Sequence, residues 1–268
     1  MDNYMKTNLN LWNEWTSIHE KSKAYDLEGF KSGKCTLHST ELEELGDVSG
    51  KSLLHLQCHF GMDTMSWARL GAKVTGVDFS DKAIKLAKSL CKEFNIEASF
   101  ICSNIYDLPK VLTAEFDIVF TSYGVLCWLP DIYEWAEGIA HFLKPGGTFY
   151  IIEAHPFTNV FENESHTKEL KLHHTYFYST EPTRYEPDGS YADRTAKVVN
   201  PSYEWTHSLG DIINALISAG LKIEFLHEFP YANYDVFPFL EEGEDEKWRL
   251  KGKEEIIPLM FSLKATKS

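Results

Sequence analysis

The residues with the clearest chemical potential lie between positions 53 and 88, LLHLQCHFGMDTMSWARLGAKVTGVDFSDKAIKLAK. An apolar run, SLLHL (52–56), enters a short turn, Gln57-Cys58-His59-Phe60-Gly61, after which a helix is expected from about Met62. A second run, KVTGVD (73–78), ends on Asp78, 17 residues beyond Gly61. A turn and helix N-terminus after a strand offer backbone N–H groups, and an acid at the tip of the next strand accepts hydrogen bonds from ribose hydroxyls. The stretch therefore reads as a nucleotide site. A dinucleotide needs a G-x-G-x-x-G turn so that its pyrophosphate can touch the backbone. The single glycine here weighs against NAD or FAD. Cys58, near a helix N-terminus, is placed for a lowered thiol pKa.

The elements that must position these groups are legible as a rhythm. Residues 52–56, 73–78, 98–102, 116–122 and 147–154 read as buried strands of a parallel sheet. Between them run helical patterns. One is capped by Ser80, carries Ile84, Ala87, Cys91 and Phe94 on one face, and stops at Asn95. Another spans 131–143, with Ile132, Trp135, Ala136, Ile139 and Leu143 on one stripe. Strands alternating with such helices specify an α/β, doubly wound sheet.

The rhythm breaks at 156–207, which is rich in aromatics and has no long helical period. Pro187-Asp188-Gly189 is a turn signal, and residues 174–186 and 190–200 are expected to pair as a hairpin. Order resumes at Ser208, a helix cap with Asp211 three residues on, and that helix ends at Gly220. Two last strands, 221–229 and 258–266, are joined by a loop whose acidic run, 241–246, is expected to be solvated. The first 49 residues look helical, with Leu11, Trp12, Trp15, Ile18 and His19 at helical spacing.

At this point the chain resembles the class I S-adenosylmethionine-dependent methyltransferases. Their first motif, a strand followed by a G-x-G-x-G turn, overlays on 53–61, and VTGVDFS is similar to their second. CSNIYDLP (102–109), FDIVFTSYGVLCWLPD (116–131) and LKPGGTFYIIE (143–153) resemble later motifs in order. The resemblance covers 50–155 and 208–268. It implies a Rossmann-like, seven-stranded mixed sheet with an antiparallel last strand. The remainder would form an N-terminal helical lid (1–49) and a β-rich cap inserted between strands five and six (156–207). S-adenosyl-L-methionine is the implied cofactor, held by Gln57, Cys58, His59, Gly61, Asp78, Phe79, Asn104, Ile105, Ser122 and Tyr25. Asp78 would take the ribose, Asn104 and Ile105 the adenine, and Tyr25 would fold over the cofactor.

The departure lies in the first motif, where Gln57 and His59 stand at the family's usual glycines. Those glycines permit a positive φ. Gln and His demand either a conventional backbone or side chains turned from the ligand.

Methyl transfer needs alignment, and a base if the nucleophile carries a proton. Tyr123, after strand four, and Glu153 and His155, at the end of strand five, are the candidate catalytic residues. Trp128 is a further candidate substrate-facing aromatic. His173-His174 point to opposite strand faces, and Glu164 and His166 lack a ligand spacing, so no metal is expected.

With 26 Lys and Arg against 40 Asp and Glu, the net charge is −14, and no basic stripe exists to engage phosphates. A small-molecule acceptor is expected, with no nucleic acid or membrane partner, in a monomer or homodimer. Five scattered cysteines and no apolar run of about 18 residues suggest a cytoplasmic protein. The alternatives are a non-catalytic binder of S-adenosylmethionine or a related nucleoside on the same fold and, more distantly, an NAD-dependent oxidoreductase.

Overall fold

The computed structural model describes residues 2–164 and 166–268. Strands β1 (Ser52–Leu56), β2 (Lys73–Asp78), β3 (Ser99–Cys102), β4 (Phe116–Ser122) and β5 (Leu143–Ala154) are parallel. Toward the C-terminus, β8 (Leu221–Phe229) and β11 (Met260–Lys267) complete a seven-stranded sheet of order β3-β2-β1-β4-β5-β11-β8. β11 runs antiparallel to both its neighbours. The order reverses between β1 and β4, so a crevice opens at their carboxyl ends.

Local chemistry explains the crossovers. Gly61 takes φ 78° and opens α4 (Met62–Arg69). The Ser80 hydroxyl accepts the Ala83 N–H at the start of α5 (Asp81–Phe94), which closes on Asn95 at φ 54°. Asp131 caps α6 (Ile132–Phe142) by accepting from Tyr133 and Glu134. Ser208 and Asp211 form the expected capping box of α7 (Leu209–Ser218). Apolar side chains fill both faces of the sheet, including Leu54, Val119, Phe149 and Leu263 on one side and Leu53, Phe120, Tyr150 and Ile152 on the other.

The N-terminus is helical as expected: α1 (Asn3–His19), α2 (Leu27–Lys31) and α3 (Ser39–Leu45). The 156–207 segment differs from expectation. Its only strands among the described residues are β6 (Thr183–Tyr185) and β7 (Ser202–Glu204), which pair through the long 186–201 connection and not as a tight hairpin of 174–186 with 190–200 turning at Pro187-Asp188-Gly189. The rest follows side-chain anchors with no strand periodicity. Asn8 exchanges two hydrogen bonds with the Tyr203 backbone, at 2.7 and 2.8 Å, acting as one more rung beside β7. Glu14 accepts from the Val199 and Asn200 backbone N–H groups. Helix α1 and the 156–207 segment are thereby fastened together.

The acidic run is exposed, as expected, but ordered. It forms the tip of a hairpin of β9 (Leu240–Glu242) and β10 (Trp248–Leu250), with Asp245 paired to Arg249 at 2.7 Å. This connection joins α1 and the 156–207 segment over the carboxyl edge of the sheet: Arg194 donates to the Asp235 carbonyl at 3.1 Å, and Asn233 donates to the Tyr123 hydroxyl at 2.7 Å.

Candidate active site

Beneath this cover, at the carboxyl edge of β1, β2 and β4, lies a cavity of about 990 Å³. All ten expected cofactor residues line it: Tyr25, Gln57, Cys58, His59, Gly61, Asp78, Phe79, Asn104, Ile105 and Ser122. Tyr123 and Trp128 line it as well.

The turn after β1 resolves the glycine question. Gln57 and His59 have φ of 56° and 51°, so they keep the left-handed backbone that glycine ordinarily supplies. Of the two expected outcomes, a conventional backbone or side chains turned from the ligand, the first does not occur. Non-glycine residues in this region carry a steric cost, and local contacts must hold them there. Gln57 donates its amide to the Val125 carbonyl at 3.0 Å. The His59 backbone N–H donates to Asp78 at 2.8 Å, and its ring Nε2 meets His19 Nδ1 at 2.9 Å. Gly61 is constrained by space too. A Cβ on it would collide with the Phe100 ring at a φ of 78°, so Gly61→Ala is expected to lower unfolding free energy by about 2–4 kcal/mol in denaturant titration.

Asp78 accepts from the Ser80 N–H and the His59 N–H, both at 2.8 Å, so its carboxylate fixes the turn that borders it. Burial still dominates and pushes its pKa up to about 6. Cys58 is buried, and desolvation raises its thiol pKa, contrary to the lowering expected near a helix N-terminus. Asn104 uses its side-chain oxygen to cap the 3-10 turn at Ile105–Lys110. Two buried polar atoms, Gln57 Oε1 and His59 Nδ1, have no partner. Both belong to residues lining the cavity, and unpartnered buried groups of this kind suit a polar ligand.

Two expected catalytic residues lie elsewhere. His155 does not line the cavity: its Nε2 meets Glu228 at 2.9 Å and its Nδ1 accepts the Phe157 N–H. It caps the turn after β5. Glu153 is buried and accepts from the backbone N–H groups of Gly124, Val125, Leu126 and Ala154. Its oxygens are saturated by the chain that follows β4, so it shapes that loop instead of facing ligand. Strand alternation gives a side chain's face of the sheet, not whether a loop folds back over its tip.

Tyr123 remains at the cavity. Its hydroxyl donates toward Glu41 at 3.1 Å and accepts from Asn233. Burial pushes the Glu41 carboxyl up to about 8. Asp63, bonded by Thr36 at 2.6 Å and by Ser122 at 3.4 Å, also lines the cavity, and burial raises its pKa.

Sequence reasoning missed the joint between α1, the turn after β1 and the 156–207 segment. His19 is buried, and besides His59 it contacts Ser190 Oγ at 2.5 Å. Desolvation lowers its pKa to about 3, keeping it neutral. Around it, Trp12 packs on His59 at 5.1 Å and on Trp128 at 5.3 Å, while Trp15 packs on Tyr191 at 5.7 Å. Tyr25 bonds Tyr191 through their hydroxyls. The helical spacing of Trp12, Trp15 and His19 marked a shared face, but not what that face covers.

Comparison with known proteins places this arrangement. Residues 54–151 match the family model described as a methyltransferase domain. A curated relative, the ubiquinone biosynthesis O-methyltransferase of Xanthomonas oryzae pv. oryzae, is 31% identical over 105 residues, or 39% of this chain. The matched region spans 44% of that enzyme, so the chain matches less than half its length. Among solved structures, an S-adenosylmethionine-dependent methyltransferase from Mesorhizobium loti superposes with a TM-score of 0.60 at 20% identity, covering 88% of this chain and 100% of that one. One from Clostridium acetobutylicum gives 0.57 at 13% identity, covering 96% and 99%. These two likenesses establish the fold. The ordered motifs and the domain match, confined to residues 54–151, make that segment similar to methyltransferase domains, on a fold shared with S-adenosylmethionine-dependent methyltransferases.

Proposed function

We propose that the protein transfers a methyl group from S-adenosyl-L-methionine to a small-molecule acceptor by in-line displacement. The observation that carries this reading is the convergence of all ten expected cofactor residues on one cavity, with the turn held left-handed at Gln57 and His59. The cofactor supplies a methyl already activated on a sulfonium, so the chain's task is positioning. Asp78 accepts from the ribose hydroxyls, Asn104 and the Ile105 N–H read the adenine, and Tyr25 closes over them. His59 Nδ1 and Gln57 Oε1 supply further polar contacts. The Asp63 carboxylate, beside Ser122, suits a cationic ammonium. The cover excludes water.

With Glu153 and His155 withdrawn, Tyr123 backed by Glu41 is the group placed to orient an acceptor hydroxyl or amine. That withdrawal is also what favours the second reading, a binder that does not transfer methyl. The finer assignments belong to this proposal: a 1–49 lid and 156–207 cap around a 50–155 and 208–268 core, a cytoplasmic monomer or homodimer, and no nucleic acid partner. They are supported by the charge of −14 and five unpaired cysteines. No helix among the described residues is long and apolar enough to cross a membrane.

Calorimetry with S-adenosylhomocysteine, S-adenosylmethionine and NAD tests the ligand class. Heat with either adenosyl compound and none with NAD is expected; no heat with the adenosyl pair sinks the proposal. Methyl release into a pooled metabolite extract, above a no-enzyme control, rejects the binding-only reading.

A further inference from the structure

We infer that the acceptor carries a protonated amine and that Glu204, at the end of β7, is the residue that reads it. This deepens the methyl-transfer reading and rests on it for the cavity's identity. Glu204 lines the cavity, partly buried, and its Oε1 accepts from Ser202 Oγ at 2.7 Å. Among the described residues no other donor and no cation reaches it. The cavity's own cations are committed elsewhere. Lys34 pairs with Asp26 at 3.3 Å, Arg194 with Asp235 at 3.6 Å, and Lys247 sits over the Tyr231 ring at 3.9 Å. A partly buried carboxylate with one neutral donor lacks a full set of partners, and burial raises its pKa.

Two other carboxylates of the cavity, Asp78 and Asp63, are assigned above to the cofactor. Asp78 holds the turn, and Asp63 is bonded by Thr36 and Ser122. Glu204 lies instead beside the loop beyond β4. The adjoining Trp205 N–H donates to the Cys127 carbonyl at 2.8 Å, which ties β7 to the loop beyond β4. The Glu204 charge lies near enough to Tyr185 and Cys127 to raise both their pKa values. Tyr234 stands across the same loop, its ring 5.7 Å from that of Tyr123. A carboxylate with one neutral donor beside Tyr185 suits an ammonium, which gains an ion pair and a cation–π contact together. A neutral hydroxyl gains only one hydrogen bond there, and an anion is repelled.

The test uses the full chain loaded with S-adenosylhomocysteine and three probes alike in size: tyramine, 4-ethylphenol and 4-hydroxyphenylacetate. Calorimetry is expected to show tyramine binding at least tenfold more tightly than the other two. Glu204→Gln should erase that preference and leave S-adenosylhomocysteine affinity unchanged; Glu204→Asp should retain part of it and controls for folding. Equal binding of the three, preference for the anion, no amine binding, or a preference that survives in E204Q overturns the inference. Selective loss of S-adenosylmethionine over S-adenosylhomocysteine in E204Q also overturns it, by assigning the carboxylate to the cofactor's sulfonium. Failure of wild type to bind S-adenosylhomocysteine would instead count against the methyl-transfer reading.

Discussion

An Asp78→Asn protein is expected to remain folded and to bind S-adenosylhomocysteine about 30- to 700-fold more weakly than the parent, a loss on the order of 2–4 kcal/mol. The substitution keeps an acceptor oxygen for only one of the Ser80 and His59 N–H groups, which bond different Asp78 oxygens at 2.8 Å, so a loss of stability of about 1–2 kcal/mol accompanies the weaker binding. It removes the charge that strengthens bonds from ribose hydroxyls. The pH dependence separates this account from simple damage to the turn. In the empty protein burial raises the Asp78 pKa from 3.8 to about 6. Folding therefore favours its protonated form. This group's favourable contribution to stability is complete below pH 3.8 and is lost as pH rises through 6. Ribose binding runs the other way, because only the ionised carboxylate accepts from both hydroxyls. Parent affinity should accordingly be full above pH 6 and decline below it, whereas D78N lacks the titrating group and should give a flat profile. Calorimetry across this range on both proteins decides the matter. Unchanged affinity in folded D78N means that the ribose lies elsewhere.

What the sequence revealed follows a physical division. Elements set by short-range chemistry were legible. Ser80, Asn95 and the Ser208–Asp211 box each declare a helix end through a bond made within a few residues. The buried strands announce themselves by apolar runs, and their order follows from handedness once the crossovers are helical. The cofactor turn was legible for the same reason, since strand, turn and acid are adjacent in sequence. The cover was not. Its contacts join residues far apart: His19 meets His59 and Ser190, and Asn8 pairs with the Tyr203 backbone. Nothing in the local pattern of either partner specifies the other. The 156–207 segment shows the limit plainly. Its turn signal at 187–189 is real, with Gly189 at φ 78°, yet the flanking residues Ser190 and Asp193 close on each other and pre-empt the expected hairpin.

The first motif shows a subtler gap. Reading Gln57 and His59 as departures from glycine was correct chemically, but the backbone need not follow composition when contacts outweigh strain. The left-handed conformers at 57 and 59 cost energy that the Val125, Asp78 and His19 contacts offset. One consequence is that the turn depends on α1. Helix α1 supplies His19, so the geometry beside the cofactor is shared between segments some 40 residues apart.

The second large effect is expected at Glu153. Glu153→Ala should destabilise the fold by about 3–5 kcal/mol, because it strands the buried Gly124, Val125 and Leu126 N–H groups and opens a cavity under the loop. Those bonds are 2.5, 2.7 and 3.4 Å long, and the loop they hold carries both the Val125 carbonyl that anchors Gln57 and the Trp128 ring that packs on Trp12. Loss of Glu153 therefore loosens the left-handed turn from the opposite side to His19. Glu153→Gln separates this role from the catalytic one expected of a carboxylate at the end of strand five. The amide retains one acceptor oxygen but directs its NH₂ at a backbone donor, so it too should unfold earlier in denaturant, by about 2 kcal/mol, with cofactor affinity falling in parallel. A carboxylate acting as a base would leave E153Q as stable as the parent and bind cofactor normally while abolishing transfer. The stability curve, measured beside cofactor binding, distinguishes the two directly. A fully stable, cofactor-binding but inactive E153Q would return Glu153 to the reaction and overturn the structural role assigned to it.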